Sequence, residues 1–149
     1  MNDEQIKNII NNKLDQALYY LEKLGWSVIP VGADKKPLVE WKLYQSQKAT
    51  REQLTEWFSK PEVNIGIITG KISNLVVIDI DPRHNGTDED FREITTVKSA
   101  TGGGGWHYYF LFEEGVQNSA AVKPGIDIRG EGGYVVAPPS SHSSGKDLS

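Results

Sequence analysis

The chain contains no cysteine. Disulfides, thiolate-bound zinc and iron–sulfur clusters are therefore excluded. It has no apolar run near the ~20 residues of a membrane-spanning helix, so no membrane partner is expected. The opening Met1-Asn2-Asp3-Glu4 lacks the basic region and apolar stretch of a secretory signal, and the expected location is the cytoplasm. A basic excess is missing as well: the formal net charge is -4. A duplex-coating protein is ordinarily basic, so strong non-specific DNA binding by this chain alone is not expected. An acidic metal site remains compatible with that balance, because carboxylate ligands make the count negative. No internal repeat or linker interrupts the 149 residues, which fit one domain ending in a loose, Ser-rich tail over 140–149.

What is present reads as helices early and strands late. Ile6, Ile9, Ile10, Leu14, Ala17, Leu18, Leu21 and Leu24 fall near a helical repeat. Asp3 is the expected N-cap of that core-packing helix and Gly25 its stop. A strand is expected over 26–31, then a turn over 32–37. Thr50 with Gln53 has the form of a capping box and opens a short helix carrying Leu54, Trp57 and Phe58, ended by Pro61. Strands are expected over 64–68 and 75–80, a short helix over 88–94, and further strands over 95–99 and 106–112. Residues 126–129 and 133–137 look like a hairpin around Gly130-Glu131-Gly132. The fold class expected is α+β with a largely antiparallel sheet.

Two features carry chemistry. Asp79-Ile80-Asp81 ends the apolar run Leu75-Val76-Val77-Ile78, which lacks alternation and reads as buried on both faces. Acids two apart on a strand share a face, with Cα atoms ~6.5–7 Å apart, while Ile80 points into the core. Two charges at the end of a buried strand are costly unless a cation neutralises them. A solvated strand end is the bland alternative. Asp127, between Ile126 and Ile128, is either a third ligand or a salt-bridge partner of Arg129. Oxygen donors suit Mg²⁺ or Mn²⁺.

The second feature is Thr101-Gly102-Gly103-Gly104-Gly105-Trp106-His107. Gly103, Gly104 and Gly105 permit close approach of a triphosphate to the backbone, and His107 can donate to a phosphate oxygen. A flexible hinge and a structural histidine are the plainer readings. The loop is not a Walker A motif, since the Gly-Lys-Ser/Thr ending is missing. The turn Lys35-Lys36-Pro37, Lys36 above all, and Arg129 are further candidates for phosphate contact, with a solvated loop and an acid pair as the respective alternatives.

The order of these blocks resembles the bifunctional primase–polymerase domain of plasmid and phage replication proteins, in the archaeo-eukaryotic primase superfamily. The blocks are 25–30 with Lys35-Lys36-Pro37 and Trp41; 64–70; 76–81 with its paired acids; 101–110 with Gly105 and His107; and 125–130 with 132–140. The resemblance runs from about Leu18 to Lys146. It implies that Asp79 and Asp81 bind catalytic metals, Asp127 completes the acidic triad and His107 meets the nucleotide's phosphates. It implies a primase–polymerase fold, an RRM-like sheet with an added N-terminal α/β part. The implied partners are single-stranded DNA template and nucleoside triphosphates. Relatives continue past the Ser143-Ser144-Gly145-Lys146 region, so the chain is expected to be a fragment of a longer replication protein, with a helicase or other replication domain outside it. No zinc thiolate site is possible.

Three functions are thus in play. The first is metal-dependent nucleotidyl transfer by a DNA primase/polymerase domain. The second is a nucleotide- or template-binding module without catalysis. The third is a metal-dependent phosphohydrolase or nuclease built on the same carboxylates.

Overall fold

The computed structural model describes residues 2–94 and 96–140, so the expected tail lies, apart from Ser140, outside the described residues. Helix α1 spans Asp3–Glu22. Asn2 caps it, in a reciprocal capping box with Gln5, in place of the expected Asp3. The Asn-x-x-Gln spacing satisfies two helix-end donors at once, which a lone aspartate at position 3 cannot do. The expected stripe holds in part: Ala17 is buried, with Leu14, Leu18 and Leu21 against the same core, and Tyr20 joins them, whereas Ile6, Ile9 and Ile10 lie outside that core cluster and Leu24, beyond the C-cap Lys23, is exposed. Lys13 is also buried, its Nζ donating to Pro61 O at 2.6 Å and Asn64 Oδ1 at 3.0 Å. Helix α2, Arg51–Trp57, carries the Thr50–Gln53 capping box read from the sequence.

Strands β1 (Ser27–Val31), β2 (Asn64–Ile68) and β8 (Tyr134–Ala137) form one sheet in the order β1-β2-β8. Strands β3 (Leu75–Ile80), β4 (Lys98–Ala100), β5 (Trp106–Leu111), β6 (Ser119–Lys123) and β7 (Ile126–Arg129) form a second, in the order β4-β5-β3-β7-β6. All these pairings are antiparallel, and with the two helices the fold is α+β. No helix among the described residues is long and apolar enough to cross a membrane.

Two expectations fail. β7 and β8 do not form a hairpin: β7 pairs with β3 and β6, whereas β8 pairs with β2. The glycines between them make a crossing from one sheet to the other, held where Thr69 Oγ1 donates to Gly130 O at 2.6 Å and Thr69 N to Gly133 O at 3.0 Å. Short apolar runs declare a strand but not its partner. The segment 88–94 forms turns rather than a helix, with Phe91 N and Arg92 N both donating to Asp88 O. The strand expected over 95–99 starts at Lys98, and Thr95 lies outside the described residues.

The alternation of β3 separates two environments. Ile80, with Tyr108 and Ile126, packs in a small cluster that includes Ile78, Phe91 and Trp106. Leu75 and Val77 face the main core between the sheets, and Asp79 continues that face. An aromatic series, Tyr20 to Trp26 at 5.2 Å and Trp26 to Tyr109 at 5.9 Å, joins α1 to β5. Tyr20 also donates its hydroxyl to Pro138 O at 2.6 Å.

Burial, helped by the proximity of Tyr109, pushes the Tyr20 phenol from 10.0 up to about 12. Because the unfolded phenol ionises first, its stabilising contribution is complete below pH ~10 and is lost as pH climbs towards the folded value. A shift of that size corresponds to roughly 2–3 kcal/mol. Tyr20→Phe is expected to cost about 1 kcal/mol at neutral pH, from the lost bond to Pro138. It should also flatten the fall of the urea midpoint between pH 10 and 12, a comparison that alkaline urea titrations of both proteins make directly.

Candidate active site

At one end of the interface between the sheets lies a cavity of about 390 Å³, lined among others by Asp79, Asp81, Arg83, His107, Arg129 and Lys35. Its centre is set by register. Asp79 stands opposite His107 of β5 on one side and opposite Asp127 of β7 on the other. Directly opposed residues of antiparallel strands share a face, so the three side chains from three neighbouring strands emerge together.

The polar contacts extend from there. His107 Nε2 is 3.3 Å from Asp79 Oδ1, and Arg129 Nη2 is 3.7 Å from Asp79 Oδ2. Arg129 Nη2 also donates to Asp127 Oδ2 at 2.8 Å, and Ala121 N donates to Asp127 Oδ1 at 2.7 Å. Burial works to raise the Asp79 carboxyl, yet the hydrogen bond and charge of His107, then Arg129 and Lys35, hold it below its ordinary value. The charged form of Asp79 is thus the one the site favours.

Asp81 leaves β3 and caps the short 3₁₀ turn Pro82–His84. Its Oδ1 accepts from Arg83 N at 2.9 Å and Arg83 Nε at 3.1 Å, and its Oδ2 from Arg83 Nη2 at 3.2 Å. These bonds lower the Asp81 carboxyl below its usual range. Asp79 and Asp81 both line the cavity, their oxygens paired with His107 and Arg129 and with Arg83, while Asp127, bonded to Ala121 and Arg129 on the face of Asp79, is not among the lining residues. Among the described residues, no three His, Asp or Glu side chains stand close enough to hold one ion.

The glycine run is a closed turn beside this pair. Thr101 N donates to Gly105 O, Gly104 N to Thr101 O, and Gly105 N to Thr101 Oγ1. Thr101 and Gly102 line the cavity. At Gly105 the backbone of Ile80 takes the space of a side chain, and at Gly103 the tip of the Arg83 side chain lies where one would be. A Cβ on Gly103 would meet the Arg83 guanidinium at 2.8 Å, and one on Gly105 would meet Ile80 O at 1.9 Å. A Cβ on Gly104 would meet nothing within 4 Å.

Of the residues singled out from sequence, Asp79, Asp81, His107 and Arg129 line the cavity, and Asp127 neighbours Asp79 in the sheet. Lys36 is not among the lining residues; Lys35 is. The turn explains the exchange: Lys35 has φ 67, while Lys36 N is tied to Asp34 Oδ1 at 3.0 Å. Sequence reasoning passed over Arg83, Trp41 as a cavity residue, and Tyr134. The signal for Arg83 was its position two residues after Asp81, within reach of that carboxylate.

No curated protein matches the chain. The model of the bifunctional DNA primase/polymerase N-terminal domain, Prim-Pol, matches residues 17–148, nearly the whole length and every element of the cavity. The chain belongs to the Prim-Pol family of bifunctional DNA primase/polymerase N-terminal domains.

Proposed function

We propose that this chain is a catalytic DNA primase/polymerase domain that extends a strand on a single-stranded DNA template by divalent-metal-dependent nucleotidyl transfer. The observation that carries the reading is Asp79 flanked in register by His107 and Asp127, with Asp81 and three cationic side chains around one cavity.

The donor set fits Mg²⁺ or Mn²⁺. Two carboxylates line the cavity, and Mg²⁺ is commonly held by one or two carboxylates together with substrate phosphates. Asp79 and Asp81 would hold the ion, with Asp127 as the third acid. A divalent ion held by these carboxylates would supply Lewis-acid chemistry, acidifying the attacking hydroxyl and stabilising the departing pyrophosphate. The reaction joins the 3′-hydroxyl oxygen of a primer, or of a first nucleotide, to the α-phosphorus of a nucleoside triphosphate. The bond from that phosphorus to the bridging oxygen breaks, and pyrophosphate leaves.

The chain's own residues position and neutralise. The low Asp79 carboxyl keeps its charge at neutral pH. His107 and Arg129, both beside Asp79, would donate to phosphate oxygens together with the cavity-lining Lys35 and Arg83, a reading their proximity supports. Of the glycine turn, Thr101 and Gly102 border the cavity, and Gly102 lets the phosphates approach without a side chain in the way; Gly103, Gly104 and Gly105 do not line it. Catalysis of this kind rests on positioning and charge stabilisation rather than covalent chemistry.

The test is extension of a labelled primer on single-stranded template with Mg²⁺ or Mn²⁺. Longer strands and pyrophosphate are expected, and chelation should abolish both. Cut strands or free phosphate would instead favour a nuclease or phosphohydrolase. Nucleotide binding without any product would favour a binding module.

A further inference from the structure

We propose that Trp41 and Tyr134 form the wall against which the base of the incoming nucleotide stacks. The inference rests on the nucleotidyl-transfer reading of the cavity and adds a base subsite to it.

The cavity is chemically two-sided. Asp79, Asp81, Arg83, His107 and Arg129 supply its charged part, from the central strands β5, β3 and β7 of the five-stranded sheet and the turn after β3. Trp41, Tyr134, Val135 and Val136 supply an apolar part, from the three-stranded sheet and its loop. A nucleoside triphosphate has the same division: a polyanion at one end and a flat, polarisable ring at the other. With its phosphates among the cations, its base meets the aromatic side.

That side is built to stay in place. The two rings meet edge to face, with centroids 5.1 Å apart and planes at 65°. The Tyr134 hydroxyl donates to Lys35 O at 2.8 Å, which fixes the phenol beside the cavity-lining lysine. Trp41 opens the 3₁₀ helix Trp41–Gln45, which is anchored through Tyr44. Tyr44 is buried against Trp57, and its carbonyl accepts from Ser27 Oγ at 2.6 Å. The Trp41 ring is only half-buried, although it packs against the main core. A tryptophan held by its neighbours and still open to a cavity is suited to stacking, because little of its freedom remains to be lost on binding.

Stacking is tolerant of base identity, since every base has a π-face. The wall therefore serves all four nucleotides and leaves the choice among them to the template.

The experiment measures calorimetric binding to the whole chain in the presence of Mn²⁺, using each nucleoside triphosphate and, separately, inorganic tripolyphosphate. Trp41→Ala should weaken all four nucleotides by about ten-fold, the size of one base–aromatic stack. It should leave tripolyphosphate binding unchanged, which also reports that the site is still folded. Trp41→Phe should restore most of the nucleotide affinity. If the wild type binds nucleotides and Trp41→Ala binds them equally well, the stacking wall is overturned alone. Equal losses for nucleotide and tripolyphosphate overturn it too, as does a loss that Trp41→Phe fails to restore. If the wild type binds no nucleotide, the wall falls together with the reading beneath it.

Discussion

Asp79→Ala is expected to lower nucleotide incorporation on the order of 10³-fold while leaving the protein folded. The magnitude follows from removing a group that acts on charge developing at the reaction centre, a loss worth about 10²–10³ for a single donor elsewhere. Asp79 is the residue on which the site converges: His107 and Arg129 both reach it, and its carboxyl is held in the charged form. Folding should survive because its partners are not stranded. Arg129 keeps its 2.8 Å bond to Asp127, and His107 keeps the cavity. The Asp79 side chain is itself 25 % exposed, so water can replace part of what it supplied. The measurement is primer extension beside a thermal melt. A drop in activity with an unchanged melt assigns the loss to chemistry. Extension at the wild-type rate by Asp79→Ala would end the catalytic reading.

The parts of this fold that were legible in the sequence are those specified locally. The Thr50–Gln53 capping box, and strands β2 and β3 to the residue, declare themselves through neighbours a few positions away. The placement of Asp79 and Ile80 on opposite faces follows from the two-residue period alone. Partner choice is different in kind. β7 and β8 are adjacent in sequence, yet they pair with β3 and β2, strands far back along the chain, and no local pattern encodes that. The same limit applies at the site. That Asp127 stands opposite Asp79 is a register, fixed by the partner strand. That Lys35 rather than Lys36 reaches the cavity depends on one backbone angle in a turn. Arg83 was hidden because a polar, turn-rich segment after an acid ordinarily reads as solvated loop. Its bonds to Asp81 are local, two residues apart, but its contact with Gly103 exists only once the glycine turn is folded over it.

Gly105→Ala is the second large effect expected, and it separates two explanations of the glycine run. If the run were a hinge, an added methyl would matter little at any of its positions. The structure instead puts the Gly105 Cα against the backbone of Ile80: an added Cβ would stand 1.9 Å from Ile80 O and 3.0 Å from Pro82 Cδ. Neither obstacle is a side-chain tip that can swing away. Relief requires β5 to part from β3 at the Ile80–Trp106 pair, the step beside both Asp79 and Asp81. Overpacking of a close backbone contact costs about 3 kcal/mol or more. In a domain of this size that is a fall of roughly 10 °C in melting temperature. A displacement of the carboxylates by about 1 Å would add a loss of activity near 10²-fold, since misplaced reacting groups are that costly. Gly104→Ala supplies the contrast. Its Cβ meets nothing within 4 Å, so only its φ of +82 opposes the change, a strain of about 1–2 kcal/mol. Urea denaturation and primer extension of the two variants should therefore rank Gly105→Ala far below Gly104→Ala in both stability and activity. Equal, mild effects at both positions would mean that the turn gives way freely, and that the close packing of Gly105 on β3 does not hold the acids in place.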